Sequence, residues 1–232
     1  MTTTTDTGSS SEEGRGQLRV PARNILADDV YGILRDSLVS GRTAPGSRLN
    51  LDHLARELHV SNTPVRQALA RLEAEGLVTK EPYRGFTASR LLDSQTIAEL
   101  YEYRLILEPA TAARAAGNAA VAGVTELAEL CDTDVVDRLL ADGAITELGQ
   151  RDIDFHCGIA RLAGNSVVLE NLTLTLTRMR LYTTYDRHGS GEQAWHEHRL
   201  IAEALRAGDP HAAAAAMRDH LRGAYDRMRT SA

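Results

Sequence analysis

Residues 51–89 read LDHLARELHVSNTPVRQALARLEAEGLVTKEPYRGFTAS, and this stretch decides the fold of the first third of the chain. Asn50, just before it, is a good helix N-cap, and Leu51, Leu54 and Ala55 recur on one face as far as Leu58. After His59-Val60, Ser61 offers a second N-cap, and Pro64 falls in the first turn, where its missing N–H costs little. The helix that follows carries Val65, Ala68, Leu69 and Leu72 on one face and runs to Glu75, where Gly76 stops it. Its other face is polar and offers Asn62, Thr63, Arg66, Gln67 and Arg71. Residues 77–90, LVTKEPYRGFTASR, then predict two short strands around a Tyr83-Arg84-Gly85 tip. Two short helices about a tight turn, followed by a hairpin, describe a winged helix-turn-helix.

Toward the N-terminus, Leu26, Val30, Ile33, Leu34 and Leu38 predict an amphipathic helix over 25–40, stopped by Gly41 and a Pro45-Gly46 turn. Residues 1–22 are polar and Thr-rich and are expected to form a flexible tail, which leaves 23–90 as the first domain. From Asp93 onward the pattern is helical throughout, with predicted spans 94–117, 121–141, 145–163, 166–187, 192–207 and 209–229. Short Gly-containing links between six helices predict an antiparallel six-helix bundle over 91–232. The expected fold class is mainly α: an N-terminal winged helix-turn-helix and a C-terminal bundle.

The bulk numbers agree with this division. A chain of 232 residues can bury two cores, and 43% hydrophobic with 4% aromatic residues leans toward Ala- and Leu-rich helices. The formal charge of -6 is uneven: residues 23–90 hold ten Lys/Arg against eight Asp/Glu, and residues 91–232 hold fourteen against twenty-one. A basic front and an acidic back place any nucleic-acid contact at the front. Two cysteines, Cys131 and Cys157, make no disulfide scaffold and fit a reducing cytoplasm. No signal peptide and no apolar run of about 20 residues is visible, so a membrane location is not expected.

In the first domain, Arg66 suits phosphate or base contact, and Arg71 lies farther along the same polar face. Arg84 at the wing tip can reach the minor groove or phosphates, with Gly85 permitting the tight turn. Arg42 and Arg48 are further phosphate candidates. In the bundle, Asp152 and His156 sit four apart on one helix, so both leave the same face. That spacing alone fits an intrahelical ion pair as well as two metal ligands. Later helices bring His196, His198 and His220, of which His196 and His198 are two apart and face different sides. Three imidazoles and a carboxylate suit zinc, with nickel or manganese as alternatives. Cys157 points about 100° away from His156 and is not counted as a ligand. Arg104 and Glu108 are again one turn apart, the spacing of an intrahelical salt bridge. Arg178, Arg180 and Tyr182 share one helix and are candidates to line the same pocket, Asn165 is expected to cap or end a helix, and His188, His196 and His211 are expected to face solvent.

The run from Leu34 to Ser89 closely resembles the winged helix-turn-helix of GntR-type bacterial transcription regulators. YEYRLILEPATAARAA (101–116), RDIDFHCGIARLAGN (151–165) and HEHRLIAEALRAGDPHAAAAAMRDHL (196–221) resemble the all-helical effector domain of the FadR branch. A six-helix count resembles that branch's VanR type. The resemblance implies a homodimer on an inverted repeat of double-stranded DNA, with Ser61, Asn62, Thr63, Arg66, Gln67, Arg71, Arg84 and Gly85 at the DNA. It implies a divalent metal held by Asp152, His156, His198 and His220, and it is the resemblance that selects His198 over His196. It further implies a small carboxylate effector with Arg104 facing it. The family usually has Arg where this chain has Asn62; Asn suits adenine where Arg suits guanine, so the operator is expected to differ there.

The leading expectation is therefore a ligand-responsive transcription regulator acting as a repressor, and not an enzyme. One alternative is a regulator for which the metal itself is the signal. The other is a helical metallohydrolase, for which the bundle lacks a general-base carboxylate and the winged head has no purpose.

Overall fold

The computed structural model describes residues 22–82, 85–118, 121–185 and 191–231. Residues 1–21 of the expected tail and the Arg84 tip lie outside the described residues, while Ala22, expected in the tail, already begins the first helix.

Helix α1 (Ala22–Val39) packs against α3 (Asn62–Ala74), with α2 (Leu51–Glu57) closing the helix-turn-helix. Val30, Leu34, Leu38 and Val39 of α1 meet Val65, Ala68, Leu69 and Leu72 of α3, and the last four are fully buried. Leu26 and Ile33, expected on the inner face of α1, are exposed; Ile33 sits beside Leu34 in sequence and so about 100° around the helix. Asn50 caps α2 by accepting from His53 N at 3.0 Å. Ser61 occupies the N-cap position of α3 without making a side-chain cap bond.

The turn between α2 and α3 uses a residue the sequence did not flag. His59 takes φ 55°, the left-handed region, while Val60 N reaches Ala55 O at 2.9 Å and His59 N reaches Arg56 O at 3.3 Å. That is the bond pattern with which a Schellman motif closes a helix, carried here by His in place of Gly. Gly76 closes α3 the same way at φ 74°.

The wing is a sheet of three strands among the described residues, in the order β1 (Arg48–Leu49), β3 (Gly85–Ala88), β2 (Val78–Glu81). Both pairs are antiparallel, with Leu49 opposite Phe86 and Val78 opposite Ala88. The sequence predicted the hairpin but not β1, whose two residues are too short to show a period.

The C-terminal region comprises α4 (Ser94–Asn118), α5 (Val121–Leu130), α6 (Thr133–Ala141), α7 (Ile145–Leu162), α8 (Ser166–Tyr185), α9 (Glu192–Arg206) and α10 (Pro210–Ser231). Among the described residues the expected six helices are thus seven, because the span 121–141 breaks at Cys131-Asp132. There Asp132 turns the chain and caps α6, accepting from Val135 N at 3.0 Å. The VanR-like subtype loses the helix count on which it rested. Phe155, Trp195, Ile201, Leu205, Met217 and Leu221 form the centre of the core, with α7 packed against α4, α5, α6 and α8. Helix α8 also touches α1 and so joins the two parts of the chain. No helix among the described residues is long and apolar enough to cross a membrane.

Candidate functional site

Three elements bring the bundle's histidines together: α7 supplies Asp152 and His156, α9 supplies His198 and α10 supplies His220. All three imidazoles are buried, with one ring nitrogen of each within 4.8 Å of the others. His198 Nε2 and His220 Nε2 lie 3.2 Å apart. Asp152 Oδ1 stands 3.5 Å from His198 Nε2 and 3.8 Å from His156 Nε2, with about a third of its side chain exposed. The four candidate ligands therefore lie at one place. His196 and His211 are exposed, as expected, and His188 lies outside the described residues.

Carboxylates stand behind two of the rings. Glu108 Oε2 lies 2.6 Å from His156 Nδ1, and Glu197 Oε2 lies 2.9 Å from His220 Nδ1. Burial pushes the Glu108 carboxyl up, but the Arg104 guanidinium and His156 outweigh it and hold it at about 2. Burial likewise raises Glu197, and hydrogen bonds from His220, Arg227 and Gln193 bring it to about 2. An ionised carboxylate only accepts, so His220 donates its Nδ1–H to Glu197 and turns an Nε2 lone pair toward the centre, where Asp152 Oδ1 is a second acceptor. Burial, then the neighbouring His220 and His156, lowers the pKa of His198 well below its usual value. Burial also lowers that of His220, against the pull of its bond to Glu197. Three buried imidazoles whose nitrogens converge beside Asp152, with carboxylates behind two of the rings, fit a divalent metal.

Arg104 reaches the same centre from α4. Its guanidinium pairs with Glu108, and its Nη2 lies 3.3 Å from His156 Nε2. A cavity of about 60 Å³ adjoins the cluster, lined at its polar end by Tyr101, Arg104, Asp152, Arg180 and His220. Of the three α8 candidates, Arg180 lines this cavity. Arg178 lies instead against Gly76 of the winged head, where an added Cβ would stand 3.1 Å from its Cδ. The Tyr182 side chain lies outside the described residues. Asn165 caps α8, accepting from Val168 N at 3.2 Å. Glu197 and the second contact of Glu108 were missed in the sequence. The adjacency of Glu197 to His198 was the one available signal, and Glu197 in fact serves His220.

On the winged head, Asn62, Thr63, Arg66 and Gln67 are exposed along the start of α3. Asn62 is tied down, its Nδ2 donating to Asp52 Oδ1 at 2.7 Å. Arg71 is engaged toward α1: it pairs with Asp28 and lies over the Tyr31 ring, 3.9 Å from the centroid. Its charge is thus engaged between α3 and α1. Arg42 and Arg48 are exposed, and Gly85 takes φ 83° at the start of β3.

Comparisons with known proteins match two stretches of the chain. Residues 26–87 match the bacterial regulatory proteins of the gntR family, and residues 99–223 match the FCD domain. The Nta operon transcriptional regulator of Aminobacter aminovorans is 33% identical over 169 residues, covering 71% of this chain and 78% of the relative. The HTH-type transcriptional repressor RspR of Escherichia coli K12 is 27% identical over 205 residues, covering 86% and 87%. A GntR regulator structure from Rhodococcus sp. RHA1 superimposes with a TM-score of 0.74 at 27% identity, covering 89% of this chain and 98% of that one. These families and relatives are transcriptional regulators rather than enzymes. The chain belongs to the GntR family of bacterial DNA-binding transcription regulators and carries an FCD domain behind its winged helix-turn-helix.

Proposed function

We propose that this chain is a ligand-responsive repressor whose 91–232 domain binds a divalent metal and a small carboxylate, and whose 23–90 domain binds operator DNA. The observation that carries the reading is the convergence of three buried imidazoles and Asp152, with Glu108 and Glu197 orienting two of the rings. Asp152, His156, His198 and His220 would hold the ion, zinc first among the metals such ligands suit. A bound ion would offer a Lewis-acidic point for an effector oxygen. Arg104, beside His156 and already balanced by Glu108, would take the carboxylate's other oxygen through its planar fork. The cytoplasmic homodimer would present two α3 helices to an inverted repeat, with Ser61, Asn62, Thr63, Arg66 and Gln67 in the major groove and Arg84 and Gly85 at the wing.

Effector binding would lower operator affinity to the extent that it favours one arrangement of the heads over another. Helix α8, which lines the cavity and touches α1, is the element both sites share. The base facing Asn62 would differ from the guanine that Arg would select; selection of guanine there, unchanged by Asn62→Ala, would exclude that part.

The first test is elemental analysis of tag-free protein purified without chelator, beside a His156→Ala/His198→Ala variant. About one metal per chain in the wild type and none in the variant supports the pocket. No metal after reloading removes it. The pairing of Arg104 with Glu108 favours a second reading, in which the metal alone is the signal. Metal-dependent operator binding with no thermal shift from any carboxylate would select that reading.

A further inference from the structure

Asn62 opens α3, one residue after the Ser61 N-cap position, and its side chain is not free to turn. Its Nδ2 donates to Asp52 Oδ1 at 2.7 Å, a bond between two exposed side chains on different helices. Asp52 sits in the first turn of α2, which Asn50 caps. The frame between the two residues is fixed by packing. Ala55 of α2 and Val65 of α3 are buried in the core of the head, and the bond from Val60 N to Ala55 O at 2.9 Å closes the intervening turn.

The bond has a direction. A carboxylate accepts and does not donate, so the carboxamide must turn an N–H, not its oxygen, toward Asp52. Half a turn of the carboxamide would set its Oδ1 against the carboxylate, two acceptors with no proton between them. What Asn62 keeps for another molecule is Oδ1 as an acceptor and the second N–H of Nδ2 as a donor. In the major groove adenine presents the matching pair, N7 as acceptor and N6 as donor, whereas guanine presents two acceptors, N7 and O6. An Asn free to rotate can turn its NH₂ toward either purine. One held by Asp52 meets guanine with an acceptor facing an acceptor.

Helix stabilisation alone does not account for the pair. Asp52 in the first turn of α2 favours the helix dipole, but that effect needs no bond to α3. A negative charge beside a DNA-contacting residue also opposes phosphate, whatever the sequence. We propose that Asp52 is a positioning residue for base readout, holding Asn62 in the orientation that selects adenine and rejects guanine. This rests on the operator-binding reading above and adds to it a second residue, outside α3, that determines specificity. Asp52 touches no base itself; it removes the alternative orientation of the residue that does.

The test is a binding selection from randomised double-stranded DNA with the full-length wild type, Asp52→Asn, Asp52→Glu and Asn62→Ala. Fluorescence anisotropy on the selected operator and its single-pair variants follows, with urea denaturation to verify that each variant is folded. Asn62→Ala marks the position that Asn62 reads, as the one whose preference it loses. There the wild type should prefer adenine to guanine by about tenfold or more, the discrimination of a two-bond contact. In Asp52→Asn, whose amide donates as well as accepts, that preference should fall to about threefold or less, while the other positions keep theirs. Asp52→Glu, which still only accepts, should retain part of it. An unchanged preference in Asp52→Asn, or a weakening spread evenly over all positions, overturns the inference and leaves operator binding standing. Guanine at the Asn62 position in the wild type, or a selection by Asn62→Ala identical to that of the wild type, overturns it as well. A wild type that enriches no sequence overturns the operator-binding reading and the inference together.

Discussion

Glu197 precedes His198 in the chain but holds the other helix's histidine: its Oε2 lies 2.9 Å from Nδ1 of His220, and Arg227 grips both its oxygens at 2.8 Å. The carboxylate thus fixes which nitrogen of His220 faces Asp152 and His198. Glu197→Ala should weaken metal retention by about 10- to 100-fold, as loss of an outer-shell partner does. Competition with a chromogenic chelator measures this directly. Wild-type affinity in the variant would mean that packing alone orients His220.

The buried histidines set an acid limit on the metal-free protein. The pKa values of His198 and His220 are depressed in the fold, so the unfolded chain takes up protons first. Their contribution to stability is therefore complete above the unfolded value of about 6.5 and is lost as pH falls through the folded values. Each adds a slope of up to about 1.4 kcal/mol per pH unit. Urea denaturation of chelator-treated protein should show stability falling below about pH 6.5. His198→Leu should flatten that fall. Glu108 and Glu197, at about 2 in the fold, add a second loss toward that pH from the ordinary carboxylate value of 4.5. A stability profile that is level across the upper window would exclude buried neutral histidines.

The legible parts of the chain were those governed by local period. Val65, Ala68, Leu69 and Leu72 mark a helix face by spacing alone, and Asp152 and His156 declare a shared face in the same way. What crosses between helices left no such trace. His198 was separable from His196 only through resemblance, and Glu197 reaches a residue 23 positions away. Arg71 continues the polar face of α3, yet Asp28 and Tyr31 on α1 draw it aside. The break at Cys131-Asp132 stayed hidden because apolar residues continue on both sides, with Leu127 before it and Val136 after it both buried.

His59 stores a small strain in the helix-turn-helix. A side chain at φ 55° costs energy that glycine avoids, while glycine adds entropy to the unfolded chain. His59→Gly should stabilise the protein by roughly 0.5–1 kcal/mol net of that entropy. His59→Val should destabilise it by roughly 1–2 kcal/mol, since a β-branched residue tolerates this region least. Urea denaturation of both variants checks the sign. A destabilised His59→Gly would show that the imidazole makes a contact that outweighs its strain.

Arg66 and Arg71 lie on the same helix, α3, but should fail differently when removed. Arg66 is exposed on the face that the proposed operator would meet, whereas Arg71 spends its charge on Asp28 and its plane on Tyr31. Arg66→Ala should weaken operator binding by about tenfold or more, and if it touches phosphate the salt slope should fall by about one. Arg71→Ala should leave the salt slope unchanged and lower stability by about 0.5–1 kcal/mol, the range of an exposed ion pair with a cation–π contact. Fluorescence anisotropy across a salt series, with urea denaturation alongside, separates the two outcomes. If Arg71→Ala flattens the salt dependence as much as Arg66→Ala does, Arg71 must leave Asp28 on the DNA, and α1 would then be coupled to operator binding through that exchange.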